Sequence, residues 1–141
     1  MANRYLQQFQ YTYEKDTVSI YGSVLIGNSG AVTSFQGAGV ASVVKESADG
    51  QYTITLTDKF NRFLRMDMGI IDDAISQVSG IQILMDPASM QADIKSTKEI
   101  VIQCVGPTAT ADTALVAANP ASGALIQFRI VMRNSSVAVD D

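Results

Sequence analysis

The chain has 141 residues, a formal net charge of −4, a single cysteine and no histidine. That length holds one domain with its own core. The missing histidines exclude Ser-His-Asp and Cys-His nucleophile chemistry and imidazole-bound metals, the lone Cys104 excludes an internal disulfide or a cysteine zinc cage, and the acidic balance argues against a nucleic-acid groove.

The chain opens on residues 1–16, which hold Tyr5, Phe9, Tyr11 and Tyr13, four of its ten aromatics, with no helical or strand period. Two readings stay open: a terminal strand pinned to the domain's own core, or an extended arm that anchors on a neighbouring subunit through its rings. Residues 1–8 lack the apolar run of a secretory leader, and no window reads as a membrane span. From Thr17 to Ile26 the chain alternates: Val18, Ile20, Val24 and Ile26 on one face, Ser19, Tyr21, Ser23 and Leu25 on the other, the period of a half-buried strand. Gly22 within it marks a bulge or a close approach, and Gly27–Gly30 ends it in a turn.

Residues 39–56 predict a hairpin. Asp49-Gly50 suits a two-residue type I′ turn, which pairs Val43 with Leu56, Lys45 with Ile54 and Ser47 with Tyr52 and leaves one apolar and one polar face. Lys45 is the misfit on the apolar side, where its stem can snorkel past the core edge. Residues 58–63 suit a short helical turn with Phe60 and Phe63 packed at i, i+3, followed by a strand over 64–71 with Met66, Met68 and Ile70 on one face. Residues 72–80 have no decisive period. A strand over 81–85 stops at Asp86-Pro87, 88–97 is a connection, and 98–105 is an apolar strand. Residues 106–123, rich in Ala, Thr and Pro, read as a long exposed loop. The last strand, 124–133, sets Ile126, Phe128, Ile130 and Met132 against Leu125, Gln127, Arg129, Val131 and Arg133. The pattern predicts an all-β, antiparallel sandwich or jelly-roll-like barrel over 17–137, with an N-terminal arm (1–16) and a polar C-terminal tail (138–141).

Chemistry has few carriers here. Asp67, Asp72 and Asp73 are close enough in sequence for an acid–base pair, but they also suit a solvated strand end and its turn, and they lack the alternation of a calcium loop. Lys59, Arg62 and Arg65 interleave with Phe60 and Phe63, a pattern seen at single-stranded nucleic-acid sites, yet also that of a short turn with one wet side. Cys104 sits in an apolar strand as a small core residue, and Gly27–Gly30 lacks the lysine of a phosphate loop. No catalytic residue, cofactor or metal site is expected. Charged residues are only 17% of the chain, against about 25% in typical soluble domains. Such a surface is expected to be covered in part by other chains.

Three segments carry a resemblance: Gly39-Val40-Ala41-Ser42-Val43-Val44 leading into Gln51-Tyr52-Thr53-Ile54-Thr55-Leu56-Thr57-Asp58-Lys59-Phe60-Asn61, the strand and turn over 64–73, and Arg129-Ile130-Val131-Met132-Arg133-Asn134-Ser135-Ser136-Val137. Together, over roughly 17–137, they resemble a family of small structural proteins of tailed bacteriophages. The resemblance implies a virion component without enzymatic activity, foremost a capsid decoration or cement protein on the head's exterior. It would be synthesised in the host cytoplasm, with the major capsid protein and further copies of itself (a dimer or trimer) as partners, and with neither nucleic acid nor membrane. Tyr5, Phe9, Tyr11 and Tyr13 are then candidate contacts to a subunit or to the coat. Two other readings remain: a tail, baseplate or fibre component, and a glycan- or protein-binding β module that recognises its ligand through 106–123.

Overall fold

The computed structural model describes residues 17–72, 78–88, 90–108 and 111–133. Among these residues nine strands follow in chain order: β1 (Thr17–Ile26), β2 (Val32–Gln36), β3 (Val40–Lys45), β4 (Gln51–Leu56), β5 (Arg62–Ile71), β6 (Gly80–Ile83), β7 (Glu99–Thr108), β8 (Ala111–Ala117) and β9 (Leu125–Arg133). A 3₁₀ turn (Asn28–Gly30) joins β1 to β2, and a short helix α1 (Met90–Ser96) precedes β7. The strands form two antiparallel sheets, sheet I in the order β2-β1-β9-β5 and sheet II in the order β3-β4-β7-β6 with β8 also on β7. Val105 pairs with Gly80 of β6 and with Ala117 of β8, so β8 lies on the other edge of β7, end to end with β4. The architecture is the expected all-β sandwich.

Period-2 alternation builds the core. Ile20, Val24 and Ile26 of β1 and Ile126, Phe128, Ile130 and Met132 of β9 face Tyr52, Ile54 and Leu56 of β4 and Ile100, Ile102 and Cys104 of β7, all buried. Each fully buried side chain of this size contributes about 1.5–3 kcal/mol. The expected faces of β1 and β9 are those observed. Gly22 is a close approach rather than a bulge: it pairs with Phe128, whose ring edge lies 2.3 Å from where a Cβ would stand.

The hairpin of β3 and β4 differs from expectation by two residues. Val43 pairs with Ile54 and Lys45 with Tyr52. The Glu46 N–H donates to the Gln51 carbonyl, so the loop holds residues 47–50, and Gly50 takes a positive φ (+64°) whereas Asp49 does not. A type I′ turn needs both. The reason is tertiary: the Cys104 N–H donates to the Gly50 carbonyl at 2.8 Å, and a Cβ on Gly50 would stand 2.2 Å from the Ala118 carbonyl oxygen. The turn is moulded to β7 and the strand end beyond it. A two-residue shift keeps parity, so the buried face is the expected one.

Four further differences follow. Residues 58–63 form no helical turn; Phe60 is in a loop and Phe63 in β5, both buried. A bulge between Phe63 and Arg65 reverses the alternation, which turns Phe63 inward together with Met66, Met68 and Ile70. The connection over 88–97 contains α1, which plugs the sandwich with Ile94 and braces the outer edge of β5: Gln91 Oε1 accepts from the Phe63 N–H and its Nε2 donates to the Phe63 carbonyl. The strand expected over 98–105 runs on to Thr108, and most of the loop expected over 106–123 is strand, the end of β7 and β8. Finally, β2 was not anticipated at all; four of its five residues are exposed, so no apolar period marks it.

Candidate functional site

The outer face of sheet I is a lattice that the register spells out row by row. From one end across β1, β9 and β5 it reads Leu25–Leu125–Ile71, Ser23–Gln127–Gly69, Tyr21–Arg129–Asp67, Ser19–Val131–Arg65 and Thr17–Arg133–Arg62. An apolar row thus opens the face, small polar residues follow, and arginines close it. Around the middle rows the face is concave. An open depression of about 670 Å³ is lined by Tyr21, Ser23, Gln127, Arg129, Asp67 and Gly69, with Gln36 and Gly37 on its β2 side. Nothing lies within 4 Å of where a Cβ on Gly69 would stand, so this glycine leaves the floor open. Tyr21 is 63% exposed, and the Arg129 guanidinium lies 5.6 Å from its ring centroid while donating to Ser19 Oγ at 3.4 Å. Arg65 holds Asp67 through two donors, Nε and a terminal amino group, both 2.8 Å from Oδ1.

A second surface is the ribbon of β7 and β8. Leu115 and Val116, adjacent in β8 and therefore on opposite faces, are 66% and 42% exposed. Between Glu99 and Arg129 the sequence has one charge, Asp112. Among the described residues β8 pairs only with β7, so its other edge is open for strand addition.

The candidate catalytic carboxylates do not gather into a site. Asp67 is bound by Arg65 on the outer face, Asp72 lies beyond the end of β5, five residues and roughly 17 Å of extended chain away, and Asp73 falls outside the described residues. Lys59, Arg62 and Arg65 do not share a helical turn: Arg62 and Arg65 are on β5 and Lys59 precedes it. Cys104 is fully buried, and burial pushes its thiol up to about 12, which leaves it an inert core residue. Tyr52 is equally buried; desolvation, then the neighbouring Cys104, raises its phenol above the ordinary value, and its hydroxyl donates to the Gly30 carbonyl at 2.8 Å. Among the described residues no group of three or more Cys, Asp or Glu could hold a metal ion. Tyr5, Phe9, Tyr11 and Tyr13, and the tail over 138–141, lie outside the described residues. The lattice of sheet I was missed by sequence reading; the polar face of each strand was visible, but not that β1, β5 and β9 stand side by side. Comparison with protein-family models, curated proteins and solved structures finds no match to this chain.

Proposed function

We propose that this protein is a structural component of a tailed-bacteriophage virion, a decoration or cement protein that binds the outside of the head and bridges coat subunits without enzymatic activity. Its partners are the major capsid protein and further copies of itself. The observation that carries this reading is the β7–β8 ribbon. It exposes apolar side chains on both faces, has a hydrogen-bonding edge left open among the described residues and lies in a stretch with a single charge. A ribbon of that kind costs solubility in a free monomer and gains stability where a second chain covers it. The resemblance of the segments around 39–61, 64–73 and 129–137 to phage structural proteins supplies the setting, and the acidic total suits a shell's exterior better than its DNA-filled interior.

The test is the copy number of this protein in purified particles of the virus that encodes it, by quantitative mass spectrometry against the major coat protein. A number comparable to that of the coat protein is expected. A number more than tenfold smaller would move the protein to the tail or a fibre, and absence from the particle would refute both virion roles.

A further inference from the structure

The middle rows on the outer face of sheet I differ from the rows at either end. Across β2, β1, β9 and β5 one reads Gln36–Ser23–Gln127–Gly69, and beside it stands Tyr21–Arg129–Asp67. These residues line the open depression of about 670 Å³, a volume within the range of small-molecule sites. Strand spacing and rise give its floor roughly 14 by 7 Å. Gly69 is exposed in mid-strand, with nothing within 4 Å of where a Cβ would stand. Its φ is not in the left-handed region, so neither a turn nor a close contact requires a glycine there. A strand gives up propensity and side-chain packing at such a position, and what it obtains is an open floor.

The walls of the depression are braced. The Arg129 guanidinium lies over one face of the Tyr21 ring and donates to Ser19, while the neighbours of Tyr21 on its own side of β1 are the small Ser19 and Ser23, so the ring stays exposed. Both Arg65 contacts to Asp67 go to Oδ1 and leave Oδ2 as an acceptor. Asp67 serves both arginines beside it, ion-paired with Arg65 and cross-strand to Arg129, so no charge here calls for an ionic ligand. What the site offers instead is a wet aromatic ring and hydrogen-bonding groups of both senses. The amides of Gln36 and Gln127 and the hydroxyl of Ser23 each donate and accept. An uncharged ligand that matches them carries hydroxyls, which also donate and accept, around a ring whose faces are C–H bonds. That is the chemistry of a sugar.

We infer that the depression on the outer face of sheet I binds an uncharged saccharide, a pyranose ring stacked on the face of Tyr21 turned from Arg129 and its hydroxyls bonded to Gln36, Gln127 and Asp67. Gly69 keeps the floor free for it. The stretch over 106–123, in contrast, holds no aromatic ring on which a sugar could stack. This site goes beyond the structural role proposed above and does not depend on it.

The experiment titrates the isotope-labelled full chain with maltotriose, cellotriose, chitotriose and mannotriose and follows the backbone amides by NMR. Saturable shifts are expected from at least one of them, centred on Ser23, Gly69 and Gln127. Tyr21→Ala and Gln127→Ala should each weaken that binding at least fivefold. Gly69→Val is the sharper variant. No neighbour lies within 4 Å of its Cβ, so the domain should melt no earlier than the wild type, yet the side chain fills the floor and should abolish binding. Leu115→Ser, on β8, should bind within twofold of the wild type, and thermal melts confirm that every variant folds. No saturable shift from any of the four sugars, or unchanged binding by Gly69→Val and Tyr21→Ala, overturns the inference. So do shifts centred on β8, which would move the saccharide to the ribbon, and tighter binding of trigalacturonate, which would make the ligand an anion. Saccharide binding by a protein absent from particles would sustain this site and refute the virion role alone, whereas a protein present in particles that binds no saccharide would do the reverse.

Discussion

Asn119 joins three loops, and its replacement tests how far the hairpin turn depends on them. Its Oδ1 accepts from the Gly50 N–H at 2.7 Å, its Nδ2 donates to Asp49 Oδ1 at 2.8 Å, and its side chain lies against Gly30, where a Cβ would stand 2.6 Å from Oδ1. The two hydrogen bonds are unequal. The Asp49 bond is exposed and contributes about 0.5 kcal/mol. The Gly50 N–H is on a buried residue, and stranding it costs about 1–3 kcal/mol. Asn119→Ala should therefore destabilise the domain by about 2–3 kcal/mol, a fall in Tm of about 5–10 °C for a chain of this size. Asn119→Asp is the sharper perturbation. It keeps the acceptor for Gly50 but sets a second carboxylate against Asp49, so at neutral pH it should be at least as unstable as the alanine variant. Adding Asp49→Asn should restore most of the loss by reversing the polarity of the pair. Urea denaturation with an unchanged m-value is the assay. If Asn119→Asp is as stable as the wild type, or if adding Asp49→Asn recovers nothing, the turn is not held as described.

Other outcomes follow from the same geometry. Gly22→Ala should cost at least 2 kcal/mol by chemical denaturation, since its Cβ would meet the Phe128 ring, and Phe128→Leu should recover part of that loss. Tyr52→Phe leaves the Gly30 carbonyl without its donor and should cost about 1–3 kcal/mol. Burial raises the Cys104 thiol from 9.0 to about 12. The unfolded chain therefore loses this proton first, and stability should fall as pH rises from about 9 towards 12, by up to about 1.4 kcal/mol per pH unit. Cys104→Ala should delay the onset until Tyr52 contributes, above its ordinary value of 10.0. Leu115→Asp should leave the unfolding midpoint within about 2 °C, because the side chain is exposed, yet reduce association with particles and with other copies, as sedimentation would show.

What the amino-acid sequence determined is what depends on neighbours along the chain. Alternation in 17–26 and 124–133 named the buried faces of β1 and β9 correctly, because a strand's side chains alternate whatever it pairs with. Parity protected the hairpin in the same way: its register was wrong by two, but Tyr52, Ile54 and Leu56 still face inward. What only the tertiary structure decided is what depends on residues distant in sequence. Gly50 takes its conformation because β7 and Ala118 press on it, and α1 forms in a segment of weak period because Ile94 finds a place in the core and Gln91 finds the edge of β5. The outer face of sheet I belongs to this second kind. Tyr21, Asp67 and Arg129 come from distant parts of the chain, and only the pairing of β1 and β5 with β9 sets them in one row. Alternation acts between adjacent residues, whereas adjacency across strands is chosen by the whole core at once, which is why the buried faces could be read from the chain and the surface for a partner could not.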